Sequence, residues 1–293
     1  MRGALLFLLY GGDAWIASGI VIVTIALVVP AGAFDSRPLL ARAARAILLV
    51  ALVFASFSGT PIPLAIAVPL LALVTGLVFL VAEPRRPRLR AGVASATIVL
   101  SLLATIPEAA HLYRTPKKDK APERLLVLGD SLTSGGFGES GRWTTILGER
   151  CGLEIRDLST PSETTRTAAR SIGPDDLEGI EAVLVELGGN DMLDDRNAGD
   201  FERDLDELFS LVESVGDGTA LYHLEFPVLP GKWGFAAVQR RLAQRHGVEL
   251  IPKRVLAAVL TDPANTFDGL HLNDRGHAEL ALRVMPWLGC DSG

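Results

Sequence analysis

The feature that most constrains this chain is the apolar density of residues 1–110. Four stretches there carry no charge: Trp15 to Phe34, Ala46 to Phe57, Ile62 to Ala82 and Val93 to Ile106. A helix needs roughly 20 apolar residues to cross a hydrocarbon layer about 30 Å thick, and the first and third stretches reach that length. The second and fourth, at about 12 to 15 residues, also fit interfacial or buried helices unless their flanks are included. A cleavable leader does not explain the pattern, because the apolar sequence runs far past the about 7–15 residues of a leader's core. The expectation is an all-α transmembrane region over 1–110 with about four helices, a linker over 111–122 and a second domain over 123–293.

Charge orients those spans. The connection Asp35 to Arg45 carries Arg37, Arg42 and Arg45, and the connection Glu83 to Arg90 carries Arg85, Arg86, Arg88 and Arg90, whereas Ser58 to Pro61 has no charge. Basic connections face the cytoplasm. An even number of spans then places the N-terminus and the second domain outside. Arg114, Lys117, Lys118 and Lys120 pull the other way, toward a cytoplasmic side or anionic head groups. The balance favours an integral protein of a bacterial plasma membrane with an extracytoplasmic second domain. No charged residue falls inside the four stretches, so they show no ion path.

The two halves differ in sign. Residues 1–122 hold 12 basic and 5 acidic residues, and residues 123–293 hold 16 and 29. An acidic domain lacks the basic footprint that phosphate recognition needs, which excludes nucleic acid as a partner. The segment His111 to Glu123, with two prolines, has the composition of a polar linker.

Within the second domain, Leu126-Val127-Leu128 ends abruptly in Gly129-Asp130-Ser131-Leu132, a strand delivering a serine to a sheet edge. By itself Gly-Asp-Ser is as ordinary as any turn or helix N-cap. Phe267-Asp268-Gly269-Leu270-His271-Leu272-Asn273 adds an aspartate and a histidine three positions apart. A serine hydroxyl needs a base, and an imidazole base needs an acceptor to fix its tautomer. Ala182 to Leu187 forms another buried strand, ending in Gly188-Gly189-Asn190-Asp191, where glycines allow a tight turn and Asn190 presents an amide N–H to a developing oxyanion.

These three blocks, in this order, resemble the SGNH or GDSL hydrolases, most closely their thioesterase and lysophospholipase-like branch. The resemblance covers about Arg124 to Leu288 and implies an α/β fold, a three-layer α/β/α domain with a parallel sheet. It implies Ser131 as nucleophile, His271 as base and Asp268 as its orienter. Gly129, Asp130, Gly188 and Gly189 would support the loops, and Ser131, Ser162 and Asn190 would form the oxyanion hole. One block departs from the family: Asp157 stands where an asparagine is usual and Ser162 where a glycine is usual, and a serine does not reach positive φ as freely. The implied activity is hydrolysis of acyl esters or thioesters of lipids or small molecules, without a cofactor. Alternatives are an O-acetyl esterase or acyltransferase on cell-wall or exported glycan, and a non-catalytic membrane scaffold. The expected partners are an acyl ester substrate and membrane lipids.

Strand and helix alternate through the domain: strands at Arg124 to Leu128, Leu153 to Asp157, Thr219 to Phe226 and Val248 to Ile251, and helices over Ser162 to Ser171, Phe201 to Val215 and Arg275 to Leu288, the last capped by Asn273 or Asp274. His111, His223, His246 and His277 lack metal-ligand spacing, so no metal is expected. Glu186 and Asp191 fit loop capping, with a general-acid role as the alternative. Trp143 and Trp233 fit either a substrate groove or packing. Cys151 and Cys290 are open to two readings, one disulfide joining the ends of the domain or two inert thiols.

Overall fold

The computed structural model describes residues 11–290 except 82, 84, 117–119, 137, 195 and 216–217. Ala82, Lys117, Lys118 and the N-terminal residues assigned a side by the charge argument lie outside the described residues. The chain forms two compact units that part between Arg114 and Thr115.

The first unit consists of helices α1 (Asp13–Val28), α2 (Pro38–Phe57), α3 (Leu64–Leu80) and α4 (Pro87–Leu112). Pro38 and Pro87 open their helices where the missing N–H costs nothing. Among the described residues only α2 and α4, with 20 and 26 residues, are long and apolar enough to cross a membrane; α1 and α3 have 16 and 17. This reverses the expectation that the first and third stretches were the full-length spans. Pro30 and Gly32, the latter at φ 71°, turn the chain soon after α1 ends, and Pro63 delays the start of α3. The second and fourth stretches instead recruit flanking residues into helix. As a result α4 contains Arg90 and Glu108, charges that the uncharged stretch Val93 to Ile106 did not include.

This unit buries an apolar cluster that includes Ile22, Leu48, Val74 and Leu77 together with several polar side chains, and it exposes large apolar ones. Ser18, Thr97, Ser101, Arg90 and Glu108 are buried, while Leu49, Val53, Phe79, Val99 and Leu103 are exposed. The buried charges are paired or hydrogen-bonded: Arg90 contacts Asp35 at 2.5 Å, and Thr60 donates to Glu108 at 3.1 Å. Buried charge persists only with such partners.

The second unit is built on a parallel five-stranded sheet: β1 (Arg124–Gly129), β2 (Glu154–Asp157), β3 (Ala182–Glu186), β4 (Ala220–Leu224) and β5 (Glu249–Ile251), in the order β2-β1-β3-β4-β5. Leu125 to Leu128 and Ala182 to Val185 are buried, as continuous apolar strands covered on both faces must be. Strand order reverses between β1 and β3, the switch point outside whose carboxyl ends ligands bind in open α/β sheets. The nucleophile block and the asparagine block follow those two strands.

Helices α5 (Ser131–Ser134), α6 (Trp143–Cys151), α7 (Thr165–Ser171), α8 (Pro174–Leu177), α9 (Gly189–Leu193), α10 (Ala198–Val215), α11 (Trp233–Arg245), α12 (Arg254–Leu260) and α13 (Asp274–Val284) complete the unit. They pack as two groups, α6 and α12 with α13, and α7 and α11 with α10. On α10 the buried Phe201, Leu205, Leu208, Phe209 and Val212 recur at helical spacing. Asn273 caps α13 by accepting from Gly276 N–H at 3.0 Å. Helices α5, α8, α9, α11 and α12 were not among the expected elements, the helix expected from Ser162 starts at Thr165, and the one expected over Arg275 to Leu288 gives way after Val284 to a 3-10 turn, Met285–Leu288. Of the two readings of the cysteines the structure takes the first: Cys151 and Cys290 form a disulfide, with Cα atoms 5.7 Å apart.

Candidate active site

The chain leaves β1 at Gly129, where a side chain would run into Thr133 and Ser159. Asp130 then caps α5, its Oδ1 accepting from Leu132 N–H at 2.9 Å, so Ser131 stands at the first position of that turn. Behind it lies Glu186, the last residue of β3, which accepts from Thr133 Oγ1 at 2.8 Å and from Asp130 N–H at 3.4 Å. Burial, reinforced by the neighbouring Asp130 carboxyl, holds Glu186 well above the usual carboxylate range. Burial likewise raises Asp130 to about 6, opposed by the Leu132 N–H and by the charge of His271.

A folded carboxyl at about 6 against an unfolded value near 3.9 keeps its proton between those pH values while the unfolded chain has lost it. Stability attributable to Asp130 therefore falls as pH rises from about 4 to 6 and levels off above. The excess stability of the wild type over Asp130→Asn should shrink between pH 4.5 and 7.5. Urea unfolding followed by tryptophan fluorescence checks this, and an excess independent of pH would refute it.

After β2, Asp157 Oδ1 accepts from Ser159 N–H at 2.9 Å and its Oδ2 from Thr144 Oγ1 at 2.8 Å, which occupies both oxygens of that carboxylate. Ser162 has φ 62° and is the non-glycine residue at positive φ among the described residues. It thus occupies the left-handed region that glycine enters most freely. The left-handed region costs a residue with a Cβ about 1–2 kcal/mol. Ser162→Gly should accordingly stabilise the unit by about 0.5–1 kcal/mol, after the added freedom of glycine in the unfolded chain is subtracted. A shifted urea midpoint with an unchanged slope would register it.

After β3, Gly188 at φ 120° packs where any side chain would overlap Phe226, and α9 begins at Gly189. Asn190 directs one amide N–H to Asp130 Oδ2 at 3.0 Å and the other to the Glu163 carbonyl at 2.9 Å. The asparagine turn, the nucleophile turn and the loop bearing Ser162 thus meet at one side chain.

The Asp268 to His271 loop is internally cross-braced. Asp268 Oδ1 accepts from the backbone N–H groups of Leu270 and His271 at 2.9 and 2.8 Å, and Oδ2 faces His271 Nδ1 at 2.7 Å. The His271 side chain, then the two backbone N–H groups, hold the Asp268 carboxyl well below the usual carboxylate range. An ionised partner at Nδ1 places the ring proton there and the lone pair on Nε2.

The other polar residues weighed in the sequence have packing roles. His223 is buried between Val185 O and Gln239, and burial lowers it to about 4. His246 bonds Asp206 and Glu213. His277 accepts from Trp143 N–H through Nδ1 at 3.2 Å. Trp143 is fully buried and donates to Thr133, while Trp233 is exposed. Groups of three or more residues able to hold a metal are absent among the described residues. The sequence reading missed Thr165 and Arg196, which bond Asp191; their signal is only tertiary.

A parallel α/β sheet with a serine turn and an asparagine turn at its switch point, in a chain that also carries an Asp-His pair on the loop before its last long helix, defines an α/β unit of hydrolase-like architecture. Residues 127–279 match the model of the GDSL-like Lipase/Acylhydrolase family. The chain belongs to that family and is a hydrolase acting on ester bonds. It is 27% identical over 161 residues to the Thioesterase 1/protease 1/lysophospholipase L1 of Escherichia coli (strain K12), covering 52% of this chain and 77% of that protein. It is 30% identical over 163 residues to an arylesterase of Vibrio mimicus, covering 52% and 81%. Among solved structures the fold resembles TesA (TM-score 0.50, 23% identity, 56% of this chain and 97% of that one). It also resembles the psychrotrophic esterase EstA from Pseudoalteromonas sp. (TM-score 0.50, 19% identity, 55% and 94%).

Proposed function

We propose that this protein is a membrane-anchored serine esterase that cleaves acyl esters or thioesters of lipids through an acyl-enzyme. Ser131 Oγ attacks the acyl carbonyl while His271 Nε2 takes its proton and passes it to the departing alcohol or thiol. Water, activated by the same nitrogen, then releases the acid. Asp268 fixes the imidazole. The oxyanion is held by the backbone N–H groups of Ser131 and Ser162 and by Asn190, which shares with it the N–H now on Asp130. The observation that carries this reading is the 2.7 Å Asp268–His271 pair in a chain whose residues 127–279 match the GDSL-like Lipase/Acylhydrolase family.

Hydrocarbon substrates are favoured by the apolar side chains that the loops of this unit expose. Leu158, Leu193, Leu229, Trp233, Phe267 and Leu270 are exposed, and all lie in segments that follow the strands or carry the Asp-His pair. Exposed apolar side chains on the segments that follow the strands suit an apolar ligand. An acetylated glycan would find few polar partners among them, which ranks the glycan reading second.

Anchoring is supported by the large apolar side chains that the helical unit leaves exposed, such as Leu49, Val53, Phe79, Val99 and Leu103, which suit a lipid surround. The Cys151–Cys290 disulfide and the arginines flanking α2 and α4 support an extracytoplasmic catalytic unit. The test is a chain-length series of p-nitrophenyl and thioester substrates given to the full chain in detergent, with alkaline carbonate extraction of its host membranes. Preference for long acyl chains and retention in the membrane are expected. Activity confined to acetyl esters would move the assignment to the glycan reading, and release by carbonate would remove the anchor.

A further inference from the structure

The function proposed above needs oxyanion donors from two loops that no strand pairing holds together. Ser162 lies after β2 and Asn190 after β3, and in the sheet β1 stands between those strands. Their spacing must be set by something other than the ladder. Resting on that function, we propose that Asp191 and Thr165 are positioning residues: a buried clamp that fixes the Ser162 loop against the Asn190 turn so that both donors converge on one oxygen.

The geometry is a two-point grip. Asp191 Oδ2 accepts from Thr165 N–H at 2.9 Å, and Asp191 Oδ1 accepts from Thr165 Oγ1–H at 2.7 Å. Both residues are fully buried. Each neighbours a proposed donor: Asp191 directly follows Asn190, and Thr165 lies three residues after Ser162. The bond from Asn190 to the Glu163 carbonyl adds a third tie between the same two segments.

The clamp is anchored from behind. Arg196 Nη1 reaches Asp191 Oδ1 at 2.6 Å, and its Nη2 bonds Asp204 on α10. Arg166, the residue after Thr165, donates from Nε to Asp204 Oδ2 at 3.3 Å. The contacts close a ring from α7 through Asp191, Arg196 and Asp204 back to α7. The buried carboxylates of Asp191 and Asp204 are compensated in that ring by the largely buried Arg196 and the more exposed Arg166, the condition for keeping those carboxylates out of water.

Satisfying an orphan N–H at the start of α7 is the plain structural role of Asp191, and an unstrained loop would need nothing more. Ser162, however, is held at positive φ, a state that persists only where its surroundings over-determine it. The Thr165 hydroxyl bond is additional to the capping requirement and serves to lock the loop. Because the oxyanion exists only along the reaction, a loosened clamp acts on kcat and leaves substrate binding nearly intact.

Thr165→Val keeps the side-chain shape and the N–H bond but removes the hydroxyl, and Thr165→Ser restores it. In the full chain in detergent, with a p-nitrophenyl ester, Thr165→Val should lower kcat about tenfold with KM within about twofold, and Thr165→Ser should stay within about twofold of wild type in both. Unchanged kcat in Thr165→Val, or an equal loss in Thr165→Ser, would overturn the clamp. If Thr165→Val does not fold, Asp191→Asn carries the same kcat-against-KM test from the other side. Labelling of wild-type Ser131 by a fluorophosphonate separates the two claims. An unlabelled, inactive wild type defeats the esterase reading and the clamp with it, whereas an active, labelled wild type with an unaffected Thr165→Val defeats the clamp alone.

Discussion

Ser131→Ala should leave the protein folded and reduce ester hydrolysis by about four to six orders of magnitude, to the level that binding and oxyanion donors sustain without a nucleophile. The size follows from the role: without Oγ no acyl-enzyme forms, and His271 is left to activate water at a distance set for a serine. The change itself is mild for the fold. Asp130 still caps the turn through Leu132, and Ser131 lies in an ordinary helical turn that alanine favours. Steady-state kinetics on the full chain, with unfolding midpoints alongside, checks both parts. Retention of more than about one per cent of the activity would remove Ser131 from the chemistry.

Asp268→Asn carries the second-largest effect, a loss of about 10³-fold in kcat. An asparagine amide facing Nδ1 forces the imidazole proton onto Nε2, the nitrogen that must take the serine proton. Asp268 is half exposed, with its side chain 54% accessible, so solvent can partly replace it, and the loss should be smaller than for a buried orienter. The backbone bonds from Leu270 and His271 can persist on the asparagine carbonyl, which separates tautomer from loop collapse. A kcat within tenfold of wild type would mean that His271 is oriented by another group.

Much of this site is local in sequence, which is why it was legible. The capping of Ser131 by Asp130 and the pairing of Asp268 with His271 involve residues at most three apart, so one turn fixes each geometry. Buried parallel strands announce themselves as continuous apolar runs, and β1 and β3 were read within a residue at their ends. Short helices such as α12 were not legible, because their apolar faces are defined by what packs on them. Span lengths were misjudged for a related reason: apolarity counts residues, whereas Pro30, Gly32 and Pro63 decide where helix geometry stops.

The sequence by itself determined the chemistry on offer: a serine and an asparagine at the ends of buried strands and an Asp-His pair on a later loop, attached to an apolar N-terminal region. Those follow from residue type and from hydrogen bonds that close within a turn. Only the tertiary structure decided that Ser162 adopts a glycine conformation, that Asn190 reaches both Asp130 and Glu163, that Asp191 grips Thr165, and that Cys151 meets Cys290. Each of these depends on segments far apart in the chain. Their distances are set by sheet order and by helix packing, which no local pattern encodes.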